Sequence, residues 1–423
     1  MNTSVTQTFV AAIRDRRSWI IVVALAIACV VAFATHSSAA RASTTSFILY
    51  DNTSYTSATI GNGAVSSNLV SAATCDPLTA NGAMPTESQW QSVVEQDDTN
   101  PDGPLVLDCE DLYLTGTGTA AKTVYEDLSQ LQAWAEDVEP NQVIGWYGLV
   151  ENTTTANIPY YRDLISQNSN TAFFPSLYTY STSEEAWDAT LTDDIADARA
   201  ISTTTPIEPY VWPQYHGGSS PSSLDLTFIP AAQWSFELAT IQEEGLPAAV
   251  VWGGSAVSDT CDSTCEADAG SEGWLPATQS FLNYVADYIT SPQTDLALDQ
   301  PATASSTKAA DRAASYAVDG DPLTRWGSNY SDPQWLEVDL GASYNISTVR
   351  LMWETAYAKD FVIQVSPDGA TWTTIYSTTG GTGGVQLLTG LSGTGRYIRM
   401  YGTVRGTPYG YSLWDFNVYG SPA

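Results

Sequence analysis

Short apolar runs and amphipathic segments alternate along the first part of the chain. The runs predict buried strands, because they have the length of a strand and polar turns bound them. They cover residues 47–50, 105–108, 143–147, 173–178, 207–212 and 248–252, with a further strand expected within 64–73. Apolar residues at three- and four-residue spacing predict helices at 120–137, 183–200 and 231–244. This alternation predicts parallel strands, in an irregular, TIM-like α/β barrel of about seven strands.

The pattern changes at a polar, proline-bearing connector, residues 291–300. Beyond it, clusters of Gly, Asp, Asn and Ser separate short strand-like runs, which is typical of an all-β sandwich. We therefore predict a multidomain chain with an α/β barrel at 43–290, a linker at 291–300 and a β-sandwich at 301–423.

Residues 1–42 have the composition of a signal peptide rather than of a folded domain. Arginines precede an apolar stretch at 19–34, and Ala40-Arg41-Ala42 offers a cleavage site. We therefore expect a secreted protein, extracellular or periplasmic, with no membrane contact after cleavage. Retention of the segment as a membrane anchor and lipidation at Cys29 are the alternatives.

The chain has a formal net charge of −32. Nucleic acids and other polyanions are bound through Lys and Arg, so this charge argues against nucleic acid as a partner. The only histidine after residue 42 is His216, so a His/Cys zinc centre is not expected. The sequence does not indicate an oligomeric state.

Four cysteines follow the signal segment, and an exported protein is expected to pair them. Cys261 and Cys265 are close enough in sequence to close a small loop, which is the pairing that the spacing favours. A Cys75–Cys109 bridge is the less favoured alternative, because Cys109 should be buried behind the strand at 105–108.

That strand runs directly into two carboxylates, Asp108 and Glu110. Residues two apart on a strand point to the same side, so these side chains should lie together with Cys109 turned away. Their repulsion should keep one protonated near neutral pH and the other ionised, as an acid catalyst and its partner require. The plainer alternative is a strand that ends in solvated acids.

Aromatic residues occur at the strand ends where barrel enzymes build their sites. An aromatic face packs on the C–H groups of a sugar, so repeated aromatics beside carboxylates favour a sugar-binding site. The candidates for substrate contact are Trp146, Tyr147, Trp212, Trp252, Glu208 and Asp51. Tyr178 and Tyr210 are expected beside the acid pair.

Five motifs follow one another in the C-terminal part: AVDGDPLTRW at 317–326, QWLEVDLG at 334–341, VSPDGATW at 365–372, GRYIRMYG at 395–402 and SLWDF at 412–416. In this order they resemble the coagulation factor 5/8 type C (discoidin-like) domain, and in particular the family 32 carbohydrate-binding modules. The resemblance implies a discoidin-like jelly roll that binds sugars and commonly accompanies glycosidases.

A structural Ca²⁺ ion and a sugar-binding face are expected in this module. The oxygen-rich turn formed by Asp319, Asp321 and Thr324 suits a hard cation. In the family an acid near the C-terminus closes that site, and Asp415 occupies its place here. No catalytic cofactor is expected. The candidates for sugar contact are Trp353, Glu354, Tyr357, Arg405 and Tyr409.

The N-terminal motifs Asp108-Cys-Glu110, Pro175-Ser-Leu-Tyr178, Pro209-Tyr210 and Val250-Val-Trp252 are similar, in this order, to those of the hyaluronidase family of glycosidases. The resemblance implies that Glu110 is the proton donor and that Asp108 orients a substrate acetamide. Tyr178 and Tyr210 would position the acetamide and the developing oxazolinium, and Trp252 would form the floor of the subsite. The implied mechanism is retaining and substrate-assisted.

The chain departs from that family at Cys109, where a tryptophan is usual, and its charge suits the polyanion hyaluronan poorly. We therefore predict a glycoside hydrolase that acts on a polysaccharide containing N-acetylhexosamine. A second hypothesis is a retaining or inverting glycosidase on an acetamide-free glycan, with Glu208 or Asp51 as the second carboxylate. A third is a carbohydrate-binding adhesin without catalysis.

Overall fold

The computed structural model describes residues 47–61, 63–115, 118–168, 170–254, 265, 268–270, 273–290 and 293–423. The predicted signal segment, with Cys29, and Cys261 lie outside these ranges. The helices are α1 (Ala72–Thr79), α2 (Glu87–Asp97), α3 (Thr119–Val138), α4 (Ile158–Ser166), α5 (Glu184–Ile201), α6 (Ala231–Glu243) and α7 (Trp274–Thr290). No helix within the described ranges has the length and apolarity of a membrane span.

The strands divide into a parallel set and an antiparallel set. The parallel strands are β1 (Ile48–Thr53), β2 (Ala64–Ser66), β3 (Asn68–Val70), β4 (Leu105–Leu107), β5 (Ile144–Trp146), β6 (Tyr210–Val211) and β7 (Ala248–Gly253). The antiparallel strands are β8 (Ala302–Ala304), β9 (Trp326–Gly327), β10 (Gln334–Trp353), β11 (Ala358–Ser366), β12 (Thr373–Thr378), β13 (Val385–Leu388), β14 (Gly393–Arg405) and β15 (Ser412–Pro422).

The parallel strands form two sheets, with the orders β2-β1-β7-β6 and β3-β4-β5. The predicted strand at 173–178 is reduced to single parallel bridges, which join Tyr147 to Phe174, Phe173 to Ile207 and Ser176 to Tyr210. Pro175 has no N–H to donate, which explains why a continuous ladder does not form there. Pro209 likewise shortens the predicted strand at 207–212 to the two residues of β6.

Side chains alternate between two hydrophobic clusters along the parallel strands. Tyr50, Val106, Tyr210 and Val250 belong to one cluster, and their strand neighbours such as Leu107 belong to the other. This is the period of two that a strand with both faces buried must show.

Helices α1, α2, α4 and α7 are not among the predicted helices. The sequence carries a signal for α2, because Thr86 and Gln89 form a reciprocal capping box at its start. Helix α1 is shorter and contains Pro77, so neither its length nor its composition indicates a helix.

The C-terminal part is an all-β sandwich of antiparallel strands, as predicted. The path β12-β11-β14-β10-β15-β9 forms its main sheet, and β8 and β13 also pair with β10. Asp295 and Leu296, in the predicted linker, each hydrogen-bond to Val418 of β15 at 2.8 Å.

The sandwich packs on the α/β part of the chain. Trp414 of β15 belongs to the hydrophobic cluster of the α/β part rather than to that of the sandwich. Arg350 of β10 is buried and forms an ion pair with Glu243 of α6, and Arg325 pairs with Glu185 of α5 at 2.9 Å. Cations of the sandwich therefore meet acids of the two helices.

Desolvation is the largest influence on the pKa of several buried carboxyl groups. Burial raises the pKa of Asp188 and of Glu208 to about 7, and that of Glu184 to about 8. In the unfolded chain such groups ionise near pH ~4. Between about pH 4 and pH 8 the folded state therefore holds more protons than the unfolded state, so its stability falls as the pH rises.

We expect the melting temperature of the protein to fall by about 5 °C or more between about pH 5 and pH 8. In Glu208→Gln this fall should be smaller, because a neutral side chain replaces a carboxyl that resists ionisation. Calorimetry of both proteins over the pH series checks this, and a melting temperature that rises over the interval would contradict it.

Candidate active site

A cavity of about 360 Å³ opens where the parallel strands end. Asp108 follows β4, Tyr147 follows β5, Trp212 follows β6, and Trp252 lies near the end of β7. The cavity is lined by Leu69, Asp108, Glu110, Tyr147, Tyr178, Tyr210, Trp212, His216, Gly217, Leu226 and Trp252. The structure therefore brings both members of the predicted acid pair and five of the predicted aromatic residues together.

The two acids of the pair differ in exposure, since Asp108 is half-buried and Glu110 is open to the cavity. The surrounding protein displaces water from Asp108, and this desolvation, followed by the charge of Glu110, raises its pKa to about 7. Desolvation also raises the pKa of Glu110, followed by the charges of Asp76 and Asp111. One raised pKa was expected within the pair, whereas both are raised, because each carboxyl is desolvated.

A disulfide bond between Cys75 and Cys109 holds the segment between the two acids, with Cα atoms 5.2 Å apart. This corrects the expectation that burial of Cys109 disfavours such a bridge. Cys109 is buried, and helix α1 brings the equally buried Cys75 to the same place. Cys265 is also in a disulfide, but its predicted partner Cys261 lies outside the described residues.

Aromatic rings form much of the cavity lining. Tyr178 stacks against Trp252, with ring centroids 5.7 Å apart and planes at 30°. Trp212 meets Trp252 edge to face at 5.0 Å. Flat apolar faces next to carboxylates are the surface that a sugar ring requires, because it presents both C–H groups and hydroxyls.

The hydroxyl of Tyr210 is buried and has no hydrogen-bond partner in the structure. Desolvation, followed by the charge of Asp108, raises the pKa of Tyr210 well above its usual value, so the group stays protonated. A buried donor without a partner is costly unless something satisfies it. Because Tyr210 lines the cavity, a bound ligand can supply the missing partner.

His216 lines the cavity although the sequence analysis assigned it no role there. Its ring stacks on Tyr178 at 5.5 Å and lies 4.8 Å from the ring of Tyr180. Its Nδ1 is 2.8 Å from the carbonyl oxygen of Gly217. The available signal was its position just after the strand end at Trp212.

Three of the predicted contacts do not line this cavity. Trp146 is buried on the helix side of β5, where its indole N–H donates to Gln132 at 3.0 Å. Asp51 accepts hydrogen bonds from the backbone N–H and the hydroxyl of Thr53 at 2.9 and 2.7 Å. Glu208 is buried among the parallel strands, and it precedes the cavity residue Tyr210 by two positions in the sequence. The alternation of side chains along a strand explains why Trp146 and Tyr147 face opposite ways.

A second cavity, of about 560 Å³, lies between the sandwich and the start of α5. Glu354 and Tyr409, two of the predicted sugar contacts, line it together with Tyr330 and Glu185. Tyr330 and Tyr409 are 51% and 56% exposed, and their rings meet edge to face at 5.7 Å. Tyr330 is therefore an exposed aromatic that the sequence analysis missed.

The other predicted sugar contacts in the sandwich have structural partners instead. Trp353 is fully buried, and its indole N–H donates to Gln386 at 2.9 Å. Tyr357 packs so closely over Gly406 that a Cβ there would lie 2.3 Å from its ring. Arg405 forms an ion pair with Asp332 at 3.3 Å and donates to backbone carbonyls of its own loop. Neither Trp353, Tyr357 nor Arg405 is among the residues of the second cavity.

Three of the four predicted calcium ligands, Asp319, Asp321 and Thr324, are joined by hydrogen bonds in one turn. Asp319 accepts hydrogen bonds from the Thr324 hydroxyl at 2.8 and 2.9 Å and from the Asp321 N–H at 3.1 Å. Asp415 instead accepts from Asn417 at 2.7 Å. No group of three His, Cys, Asp or Glu side chains suited to a metal occurs among the described residues. Calcium at the turn stays a prediction, and the contacts of Asp415 do not support its part in it.

Residues 301–416 match the family model of the F5/8 type C domain. The C-terminal module is therefore an F5/8 type C domain, which confirms the resemblance read from its motifs. A polysaccharide lyase 8 family protein, HylA of Enterococcus faecalis, is 43% identical over 68 residues, which are 16% of this chain and 5% of that protein.

Two solved modules of a chitosanase/glucanase from Paenibacillus sp. IK-5 are also similar. Its chitosan-binding module 1 is 52% identical, with 30% of this chain and 99% of that chain covered and a TM-score of 0.29. Its chitosan-binding module 2, in complex with chitotriose, is 45% identical, with 30% and 100% covered and a TM-score of 0.29.

Proposed function

We propose that this protein is a secreted glycoside hydrolase that cleaves a polysaccharide containing N-acetylhexosamine. The observation that carries the proposal is a single cavity with two carboxyls of raised pKa, an unpaired tyrosine hydroxyl and stacked aromatic rings. An acid catalyst must hold its proton near the working pH, and the desolvation of Glu110 favours its protonated form.

The same proposal includes a closed barrel for the parallel strands. β2 and β3, separated by Ser67, would be one strand that pairs with β1 at one end and with β4 at the other. Residues 173–176 would be the strand between β5 and β6. Pairing of β1 with β7 would close a ring of seven strands, with the cluster around Tyr50 and Val250 inside it.

In the proposed reaction Glu110 donates its proton to the glycosidic oxygen as the bond to the anomeric carbon breaks. The carbonyl oxygen of the substrate's own acetamide attacks that carbon and forms an oxazolinium ion. Once it has lost its proton, which a pKa of about 7 allows near neutral pH, Asp108 accepts the acetamide N–H and balances the positive charge. The Tyr210 hydroxyl donates to a substrate oxygen. Water, deprotonated by Glu110, then attacks the anomeric carbon and opens the oxazolinium ring, so the anomeric configuration is retained overall.

The choice of a substrate-assisted scheme depends on which carboxylates reach the cavity. A direct displacement needs a second carboxylate about 5–5.5 Å from the acid, or about 6.5–9.5 Å for a water-mediated attack. Glu208 and Asp51, the candidates for that role, do not line the cavity among the described residues. Asp108 is bound to the first turn of α1 instead, which suits a group that orients an acetamide.

A lyase is the second candidate function, because HylA is named as a polysaccharide lyase. Elimination next to a uronate requires a group that neutralises the uronate carboxylate. The described lining of the cavity contains Asp108, Glu110 and His216 but neither Lys nor Arg. These charges repel a uronate, so the cavity supports hydrolysis of a glycan without carboxylates.

We further propose that the F5/8 type C domain binds the same polysaccharide through Tyr330, Tyr409 and Glu354. Beside a carboxylate, two exposed rings can contact the C–H face of a sugar while the carboxylate accepts from its hydroxyls. Binding of the chain at this domain raises the local concentration of glycosidic bonds at the cavity.

Glu110→Gln should lower the turnover of polysaccharide by about 100-fold or more, because the amide cannot donate a proton to the leaving group. Binding to insoluble polysaccharide should be unchanged. Reducing-end release and pull-down of the same preparation measure the two properties. Glu87→Gln, an exposed change on α2, is the control, and a Glu110→Gln protein with more than a tenth of wild-type activity would contradict the assignment.

The double variant Tyr330→Ala/Tyr409→Ala should weaken action on insoluble polysaccharide by about 10-fold while leaving soluble oligosaccharides unaffected. Deletion of the whole domain is a poorer test, because it would remove Trp414 from the hydrophobic cluster of the α/β part and leave Glu243 without Arg350. Val404→Ala changes an exposed residue outside the second cavity and serves as the control. Equal losses on both substrates would argue against tethering.

A further inference from the structure

Helix α1 contacts the acid-bearing segment through three residues on one face. Ala72, Cys75 and Asp76 are spaced i, i+3 and i+4, which places them side by side on a helix. The Ala72 N–H donates to Asp108 at 3.4 Å, and Cys75 is bonded to Cys109. Contacts of α1 thus follow the order of the segment from residue 108 to residue 111.

Asp76 makes the third of these contacts. Its Oδ1 accepts the backbone N–H of Asp111 at 3.4 Å, and the backbone N–H of Glu110 also hydrogen-bonds to this carboxylate. The neighbouring disulfide prevents the helix and the segment from separating. A half-buried carboxylate is therefore held against the main chain of Glu110.

We propose that Asp76 is a positioning residue for Glu110, which it serves by fixing the main chain at residues 110 and 111 and by placing a third carboxylate beside the acid pair. This inference rests on the proposed function of Glu110 as the acid. Asp76 does not line the cavity, so its proposed effect on the reaction is exerted through Glu110.

The negative charge of Asp76 has a direct consequence for the protonation of Glu110. Other titratable groups lie near Glu110 as well: Asp111 follows it in the chain, Asp108 precedes it, and the neutral Tyr113 interacts with both acids. Desolvation raises the pKa of Glu110 first, and Asp76 is the next cause, before Asp111. An anion on α1 therefore favours the proton-carrying form that an acid catalyst needs.

Asp76→Asn tests the proposal because the amide oxygen still accepts the main-chain N–H groups while the charge is lost. The Glu110 carboxyl should then titrate at a pH lower by about half a unit, since solvent screens part of the interaction. The basic limb of the pH–activity profile should move in the same direction, with the maximal rate retained within about threefold.

The titration is measured by NMR on full-length protein labelled at glutamate carboxyl carbons, with the Glu110 signal assigned by its loss in Glu110→Gln. Asp102→Asn removes an exposed acid at the opposite end of β4 and should leave the midpoint unchanged. Should the Asn variant fail to fold, Asp76→Ser carries the same expectation.

An unchanged Glu110 midpoint in a folded Asp76 variant would overturn the proposal, whether or not the protein is active. The proposed function fails separately, through a wild-type protein that cleaves no polysaccharide or a Glu110→Gln variant that stays active. A lower titration midpoint of Glu110 together with a shifted pH–activity profile supports both the positioning role of Asp76 and the proposed function.

Discussion

Desolvation of carboxyl groups without a cation beside them is the constraint on which the candidate site depends. The chain has 47 acidic and 15 basic residues, so most buried or half-buried acids cannot be paired with Lys or Arg. Where water is displaced and no cation replaces it, the acid keeps its proton to higher pH. At the end of β4 desolvation raises the pKa of Asp108 to about 7 and also raises that of Glu110, so this pair holds a proton to higher pH than free carboxyls do.

Two of the few cationic side chains lie away from the candidate site. Arg350 and Arg325 lie where the sandwich meets the α/β part, and their acidic partners are Glu243 and Glu185. The Arg350–Glu243 pair is buried, and a buried ion pair that loses one partner leaves an uncompensated charge, so this contact couples the two parts of the chain. The second cavity lies at the same contact, next to Glu185. A polysaccharide held there would stand in a fixed relation to the cavity at the strand ends.

Local sequence patterns predicted the elements that depend on local rules. The apolar run before Asp108 and Glu110, the parallel character of the α/β strands and the F5/8 type C domain follow from periodicity or from motifs of fixed spacing. The strand expected at 173–178 reduces to single bridges, because Pro175 cannot donate to a ladder. Helix α1 was missed because a short helix containing Pro77 has no periodic signal.

Contacts between distant segments could not be predicted in this way. The Cys75–Cys109 pairing depends on where α1 packs, and the sequence argument considered only the burial of Cys109. The i, i+2 spacing predicted that Glu208 and Tyr210 lie on the same strand face. It does not show how far along the strand the cavity extends, and only Tyr210 lines it. Trp353 was expected at the surface of the sandwich as an aromatic near Glu354, yet its side chain is directed into the core. His216 became a site residue only through the loop after β6.

The central claim is hydrolysis assisted by the substrate acetamide, with Glu110 as the acid. The most direct test digests an N-acetylated polysaccharide and its fully de-N-acetylated form in heavy-oxygen water, with mass spectrometry of the products. The account predicts that the N-acetylated polymer alone is cleaved and that each new reducing end carries one heavy oxygen. Unlabelled, unsaturated products would indicate elimination, and equal cleavage of the de-N-acetylated polymer would contradict assistance by the acetamide.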